Sequence, residues 1–295
     1  MKTTDPLAPG GEQWLRTISP SKVAAILGVS RYESPYRLWH RQKGLVPTEG
    51  PKDIFTAGHA FEPALAYLWR NENPGWLLSP GEVRITRDDL GFPAVCTLDR
   101  RARRGGARRI VEFKTTRDLA DWGDDFTDQA PADYLAQVQF QMHLTGFTKW
   151  PAHLMVMGPF FQWHTYEVEY DPELCAVIED RCRAWHASLA LDVPPELDDT
   201  VATYNCVRAL HPEIDGTEVQ LDADLAVEYL EADAEAKAID KRLRAAKTRV
   251  LDAMKNAKTA NCFDQKVADR RPGRGGAVSL YANGKSLDSL KELAA

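Results

Sequence analysis

The chain has 295 residues, 44% hydrophobic and 27% charged, with a formal net charge of −6. That balance belongs to a globular chain with a sizeable core, either one large domain or a domain of ~200 residues with an appendage. It argues against a membrane span, since no run approaches ~18 apolar residues, and against a disulfide framework or zinc site, since Cys96, Cys175, Cys182, Cys206 and Cys262 are dispersed without a CxxC pair.

The opening MKTTDPLAPGGEQW lacks an apolar signal core, which places the protein in the cytoplasm with reduced, buried thiols. Ser21 to Leu27 has Val23, Ile26 and Leu27 at helical spacing, with Ser19 or Ser21 as cap and Gly28 as stop. Its first amides suit either a simple cap or a phosphate, with Arg16 one turn before. Ser34 to Lys43 reads as a helix with Pro35 in its first turn and Gly44 after its end. From Asp53 to Arg70, Ile54, Phe61, Leu65 and Leu68 follow a helical period, and Pro63 places a kink or a helix start at Glu62.

The segment with the most chemistry runs from Ala94 to Lys114. A two-residue turn at Gly105-Gly106 pairs Arg104 with Ala107 and, counting outward, sets Asp99 opposite Glu112. Directly opposed residues hold their Cβ atoms roughly 5 Å apart, close enough to share a divalent cation. Lys114 falls on the same face by the period-2 rule. Two acids facing each other are destabilising unless a cation or proton compensates them, which separates this hairpin from an ordinary solvated ribbon. Arg100, Arg101, Arg103, Arg104, Arg108 and Arg109 crowd its turn, either as phosphate contacts or as solvated surface.

Tyr134 to Leu144 reads as an amphipathic helix with Leu135, Val138 and Met142 on its apolar side and Gln137 and Gln141 on another. Trp150 to Met157 and Trp163 to Val168 read as strands, and Pro172 to Leu191 as a closing helix. Mixing strands and helices in this order predicts an α/β domain with a mixed central β-sheet flanked by helices. The domain is set at residues 1–200. Residues 201–295 then form a linker, a long helix and a small basic C-terminal region. In that helix Leu225, Tyr229, Ala232, Ala236, Ile239, Leu243, Ala246, Val250 and Ala253 follow a heptad seam, whose alanines suit close packing on another element. Phe263 to Ala268 and Val278 to Tyr281 suggest a ribbon around a loop bearing Arg270, Arg271 and Arg274, with a short helix after it. This appendage serves either to guide DNA and dock a partner or to buttress the fold.

Taken together, these residues resemble the lambda-exonuclease-like, or YqaJ-type, viral recombinase nucleases of the PD-(D/E)xK superfamily, over about residues 14–190. The resemblance rests on ISPSKVAAILG from Ile18 with SPYRLW from Ser34, on GHAFEP from Gly58, on Asp99, on Glu112-Phe113-Lys114 and on Gln137-Val138-Gln139, in that order. It implies a restriction-endonuclease-like core with Asp99, Glu112 and Glu62 as acidic metal ligands for Mg²⁺, or Mn²⁺ in its place, and Glu62 otherwise in a supporting role. Lys114 orients the attacking water and Gln137 steadies the site. Ser21, Arg16 and Thr97 lie towards phosphate. Two departures stand out: Arg100 occupies a position that is commonly glycine, and Arg16 lies close to Ser21 in sequence.

The resemblance further implies a 5′→3′ exonuclease acting on double-stranded DNA ends and leaving 3′ single strands for a single-strand annealing protein. It implies a homo-oligomeric ring trimer, no membrane partner, and a phage or prophage gene expressed in a bacterial host cytoplasm. A structure- or site-specific endonuclease, and a non-catalytic DNA-end-binding recombination scaffold, are the alternatives.

Overall fold

The glycine pair closes the hairpin in the expected register. Strands β4 (Arg100–Arg104) and β5 (Ala107–Thr115) run antiparallel with Arg104 opposite Ala107 and Arg100 opposite Val111, and Gly105 takes the positive φ of 56° that the tight turn requires. The computed structural model describes residues 5–7, 11–48, 53–273 and 276–294. Before the hairpin come α1 (Glu12–Arg16), α2 (Pro20–Ile26), α3 (Pro35–Gln42), α4 (Asp53–Glu72), β1 (Leu77–Leu78), β2 (Val83–Arg87) and β3 (Ala94–Leu98). After it come α5 (Ala132–Thr145), β6 (Ala152–Met157), β7 (Trp163–Val168), α6 (Pro172–Leu191) and α7 (Val201–Leu210).

A five-stranded mixed sheet has the order β1-β4-β5-β6-β7, with β5 and β6 parallel and the other neighbours antiparallel. The parallel pair requires a crossover, and α5 lies within it. Strands β2 and β3 form a separate antiparallel pair. The expected strand from Ala94 through Arg100 is therefore interrupted at Asp99, where the chain passes from one sheet to the other.

Alternation along β5 and β6 divides the core. Ile110, Leu154 and Val156 face α2, α5 and α6, together with Tyr166 and Val168. Val111, Phe113, Met155 and Met157 face α4, which contributes Leu65, Ala66 and Trp69. Helix α4 runs unbroken through Pro63, so neither a new helix start nor a split of the element falls at Glu62.

Local signals set the helix ends. Ser34 caps α3 by accepting from the Arg37 amide at 3.1 Å, and Asp171 caps α6 by accepting from Glu173 and Leu174, both at 2.9 Å. Gly146, in the left-handed region at φ 68°, stops α5.

The first compact unit extends to Ile214, beyond the expected boundary at residue 200. Helix α7 belongs to it because Cys206 is buried and Thr203 Oγ1 donates to Ser34 Oγ at 2.8 Å, stapling α7 to the start of α3. The second unit begins at Asp215 and contains α8 (Ala223–Met254), β8 (Thr259–Cys262), β9 (Gln265–Pro272), β10 (Val278–Ala282) and α9 (Leu287–Ala294). The heptad pattern corresponds to α8. The expected ribbon is a three-stranded sheet ordered β10-β9-β8, in which Arg270 and Arg271 lie on a strand instead of a loop. Arg274 lies outside the described residues. Four cysteines are buried and free, while Cys262 is exposed, so the expectation of buried thiols fails for that one.

Candidate active site

Strand β5 carries the centre of the site. Glu112 and Lys114 share the face toward α5, as period-2 geometry requires, and Asp99 occupies the break between β3 and β4 beside them. Asp99 Oδ2 accepts the Phe113 amide at 2.7 Å, fixing its carboxylate next to Glu112. Burial pushes the Asp99 carboxyl well above the usual carboxylate range. The neighbouring Glu112 charge adds to this, against the opposing pull of Lys114.

Glu112 is only 2% exposed, and donors surround it. Its Oε1 accepts from Lys114 Nζ at 2.7 Å and Gln137 Nε2 at 2.5 Å, while Oε2 accepts from Gln141 Nε2 at 2.8 Å. Burial works against the Lys114 charge, yet Glu112 and Asp99 outweigh it and hold the ammonium above the ordinary lysine range. The Tyr134 ring centroid lies 5.4 Å from Lys114 Nζ, and burial raises that phenol to about 12.

Gln137 is thus brought to the acid pair as expected. Gln141, one helical turn later, is the residue that amphipathic reading missed. It lies off the apolar side of the helix in the sequence pattern, yet it is fully buried. The available signal was that Ala136, Val138, Phe140, Met142 and Leu144 leave α5 apolar nearly all round, and a polar residue on so buried a helix needs a partner.

Glu62 is placed differently from Asp99 and Glu112. It projects from α4, which packs on the opposite face of the sheet, and its carboxylate meets His59 Nδ1 at 2.8 Å and Arg100 Nη1 at 3.8 Å. Arg100 is buried, donates to the Asp99 carbonyl, and lies 5.9 Å over the Phe113 ring. Among the described residues no group of three or more His, Cys, Asp or Glu is arranged to hold a metal ion. The arrangement offers two acids and a lysine, with Glu62 beside Arg100 and its charge adding to the upward push on Asp99.

The expected phosphate-facing residues lie on three elements. Arg16 ends α1, Ser21 lies in the first turn of α2 with its Oγ 3.1 Å from Ser19 Oγ, and Thr97 lies on β3 opposite Arg84. Lys22 joins the first two elements, donating from Nζ to the carbonyls of Trp14, Leu15 and Thr17 while stacking over the Trp14 ring. Within the basic cluster, Arg100 and Arg109 are buried, which removes the solvated-surface alternative for these two. Arg109 contacts His153 and lies 4.6 Å over the Trp76 ring, and Arg104 lies 4.8 Å over the same ring.

A mixed sheet whose central strand presents a buried acid, held by glutamines from the crossover helix, and a lysine beside a second, half-buried acid defines an α/β domain built around a charged site. Residues 12–148 match the model of the family described as the YqaJ-like viral recombinase domain. The uncharacterized protein YqaJ of Bacillus subtilis (strain 168) is 26% identical over 216 residues, covering 68% of this chain and 64% of that protein. The chain thus spans less than two thirds of that relative's length. Solved structures with similarity include an alkaline exonuclease, LHK-Exo, from Laribacter hongkongensis, at 20% identity and TM-score 0.47 over 62% of this chain and 94% of that one. A phage related exonuclease from Haemophilus somnus 129PT aligns at 14% identity and TM-score 0.45, over 60% of this chain and 96% of that one.

Proposed function

We propose that this protein is a metal-dependent DNA exonuclease, acting 5′→3′ on linear duplex ends and leaving 3′ single strands for annealing in phage-type recombination. The observation that carries the proposal is the half-buried Asp99 beside buried Glu112, with Lys114 hydrogen-bonded to Glu112, in a chain whose residues 12–148 match a viral recombinase family model. An acid whose proton affinity is raised by burial and a neighbouring carboxylate is costly to a resting fold and suits a site that takes up positive charge. Hard carboxylate oxygens fit Mg²⁺, or Mn²⁺ in its place, and Asp99 and Glu112 would hold it. When bound, the ion supplies activation of water at neutral pH and neutralisation of phosphate charge.

The protein's own groups do the rest. The Lys114 ammonium, kept protonated by its two acids, lies where it can orient an attacking water and offset charge on the phosphate. Gln137 and Gln141 hold Glu112 from both of its oxygens, so the carboxylate does not need to reorganise during turnover. Glu62, paired to Arg100, supports the site from the far side of the sheet. Duplex ends are the proposed substrate, a single-strand annealing protein the proposed partner, and a ring of three copies in the bacterial cytoplasm the proposed working form.

The test is incubation of linear and covalently closed duplex DNA with Mg²⁺, comparing 5′-phosphate and 5′-hydroxyl ends. Linear DNA is expected to be degraded and closed circles spared. Cleavage of the circles would replace the exonuclease with an endonuclease, and absence of cleavage would leave a DNA-end-binding scaffold. The Glu112→Ala protein is expected to be inactive, and its retention of Mg²⁺-dependent cleavage would remove the assigned site.

A further inference from the structure

The turn between β6 and β7 has a construction that neither folding nor the acid pair explains. In Gly158-Pro159-Phe160-Phe161-Gln162 both phenylalanines are held in the left-handed region, at φ 58° and 60°, and they are 93% and 71% exposed. Positive φ is uncommon for any residue other than glycine and a clear outlier for a bulky one, and a large apolar ring gains nothing for stability by standing in water. Glycine or asparagine would fill this turn at less cost.

The turn is nonetheless firmly built. The Gly158 amide donates to the Gln162 carbonyl at 2.8 Å and the Gln162 amide to the Pro159 carbonyl at 3.3 Å. At its base, the Trp163 indole donates to Glu72 at 2.6 Å.

Its position relates it to the site. Strand β6 is parallel to β5, with Val156 opposite Lys114 and Met157 opposite Thr115, so the turn begins at the sheet edge just past the site lysine. Phe160 is four residues beyond Val156, no more than roughly 13 Å of extended chain. The segment leaving β5 braces the turn. The Thr116 amide donates to the Met157 carbonyl at 2.9 Å, and Leu119 fills the space beside Gly158, where a Cβ would come within 2.6 Å of Leu119 Cδ1. The two exposed aromatic rings thus stand on a turn braced by the segment that directly follows the strand carrying Lys114.

We infer that Phe160 and Phe161 form a base-stacking subsite, which takes the unpaired bases of the nucleic acid strand running past the acid pair. Aromatic rings stack on bases whatever their sequence, because every base presents a π-face, and a site dealing with strand ends needs grip without sequence preference. A turn preorganised at this conformational cost places the rings before substrate arrives, so little ordering remains to be done on binding. The inference rests on the nucleic-acid reading of the acid site and adds a specific contact to it.

The experiment compares the binding of two single-stranded oligonucleotides in EDTA, one with normal bases and one with consecutive abasic sites on the same backbone. The wild-type full chain is expected to prefer the normal strand by about tenfold or more. The Phe160→Ala, Phe161→Ala double variant is expected to bind both alike, at the wild-type affinity for the abasic strand. Both rings are exposed, so the variant is expected to fold, and an unchanged far-UV spectrum and melting cooperativity check this. Equal preference in wild type and double variant would overturn the inference while leaving the acid site standing. If the wild type fails to bind either strand and fails to cleave duplex DNA with Mg²⁺, the underlying nuclease reading falls with it.

Discussion

Replacing Asp99 by Asn tests the idea that this fold gives up stability to keep two acids together. The substitution preserves shape and the acceptor for the Phe113 amide, now 2.7 Å away, and removes one negative charge beside Glu112. Because the Asp99 carboxyl is raised above its unfolded value, the native state binds more protons than the unfolded chain. Its ionisation therefore costs stability progressively as pH rises from the unfolded pKa, near 4, through the raised native one. A tenfold change in proton affinity is worth about 1.4 kcal/mol, and for a unit of this size each kcal/mol moves the melting temperature by roughly 2–4 °C. Even a single tenfold displacement should raise the melting temperature of the Asp99→Asn protein by about 3–6 °C at pH 7 in EDTA. The difference should shrink as pH falls through the raised native value, where the wild type regains its proton. Mg²⁺ should then stabilise the wild type and leave the variant nearly unaffected. Differential scanning fluorimetry across pH, with and without Mg²⁺, measures all three effects. A variant less stable than wild type in EDTA at pH 7, or stabilised equally by Mg²⁺, would refute the reasoning.

Three further perturbations follow from other contacts. Gln141→Leu removes the donor to Glu112 Oε2 and should cost about 1.5–3 kcal/mol in urea unfolding, the worth of a hydrogen bond to a charged group, together with most of any nuclease rate. His153 is pushed down to about 3 by burial, with Arg109 adding to the effect, so its contribution is intact above pH 6.5 and is lost as pH falls below that value toward 3. At pH 5.5 the loss is about 1.4 kcal/mol, and urea unfolding of His153→Gln at pH 7.5 and 5.5 should lack that increment. The Phe160→Gly, Phe161→Gly protein relaxes two positive-φ positions and should melt several degrees higher, at about 1 kcal/mol or more for each residue. A lower melting temperature would show that the turn stores no strain.

Local rules made much of the chain legible. The Gly105-Gly106 turn specifies its own register, because a two-residue loop admits only one pairing of the strands it joins. Helices α3, α6 and α8 were readable from caps, proline positions and periodicity, all of which act within a few residues. Elements without such signals escaped notice. The two-residue β1, the short β2 and β8, and α7 owe their place to partners distant in the chain, as Thr203 does to Ser34.

The same division runs through the site. The register of the hairpin and the direction of Lys114 follow from counting along strands, since side-chain alternation is a property of the backbone itself, whereas Asp99 reaches Glu112 from the break between β3 and β4. Which helix covers which face is set by long-range packing. Only the tertiary structure could place Gln141 on Glu112 or send Glu62 to Arg100 on the other side of the sheet. Sequence alone determined that Glu112 and Lys114 share one face of a strand and that Asp99 comes near them within an α/β domain. The tertiary structure decided how that charge is compensated, because burial and the donors around a carboxylate depend on residues brought together only when the sheet and its helices close.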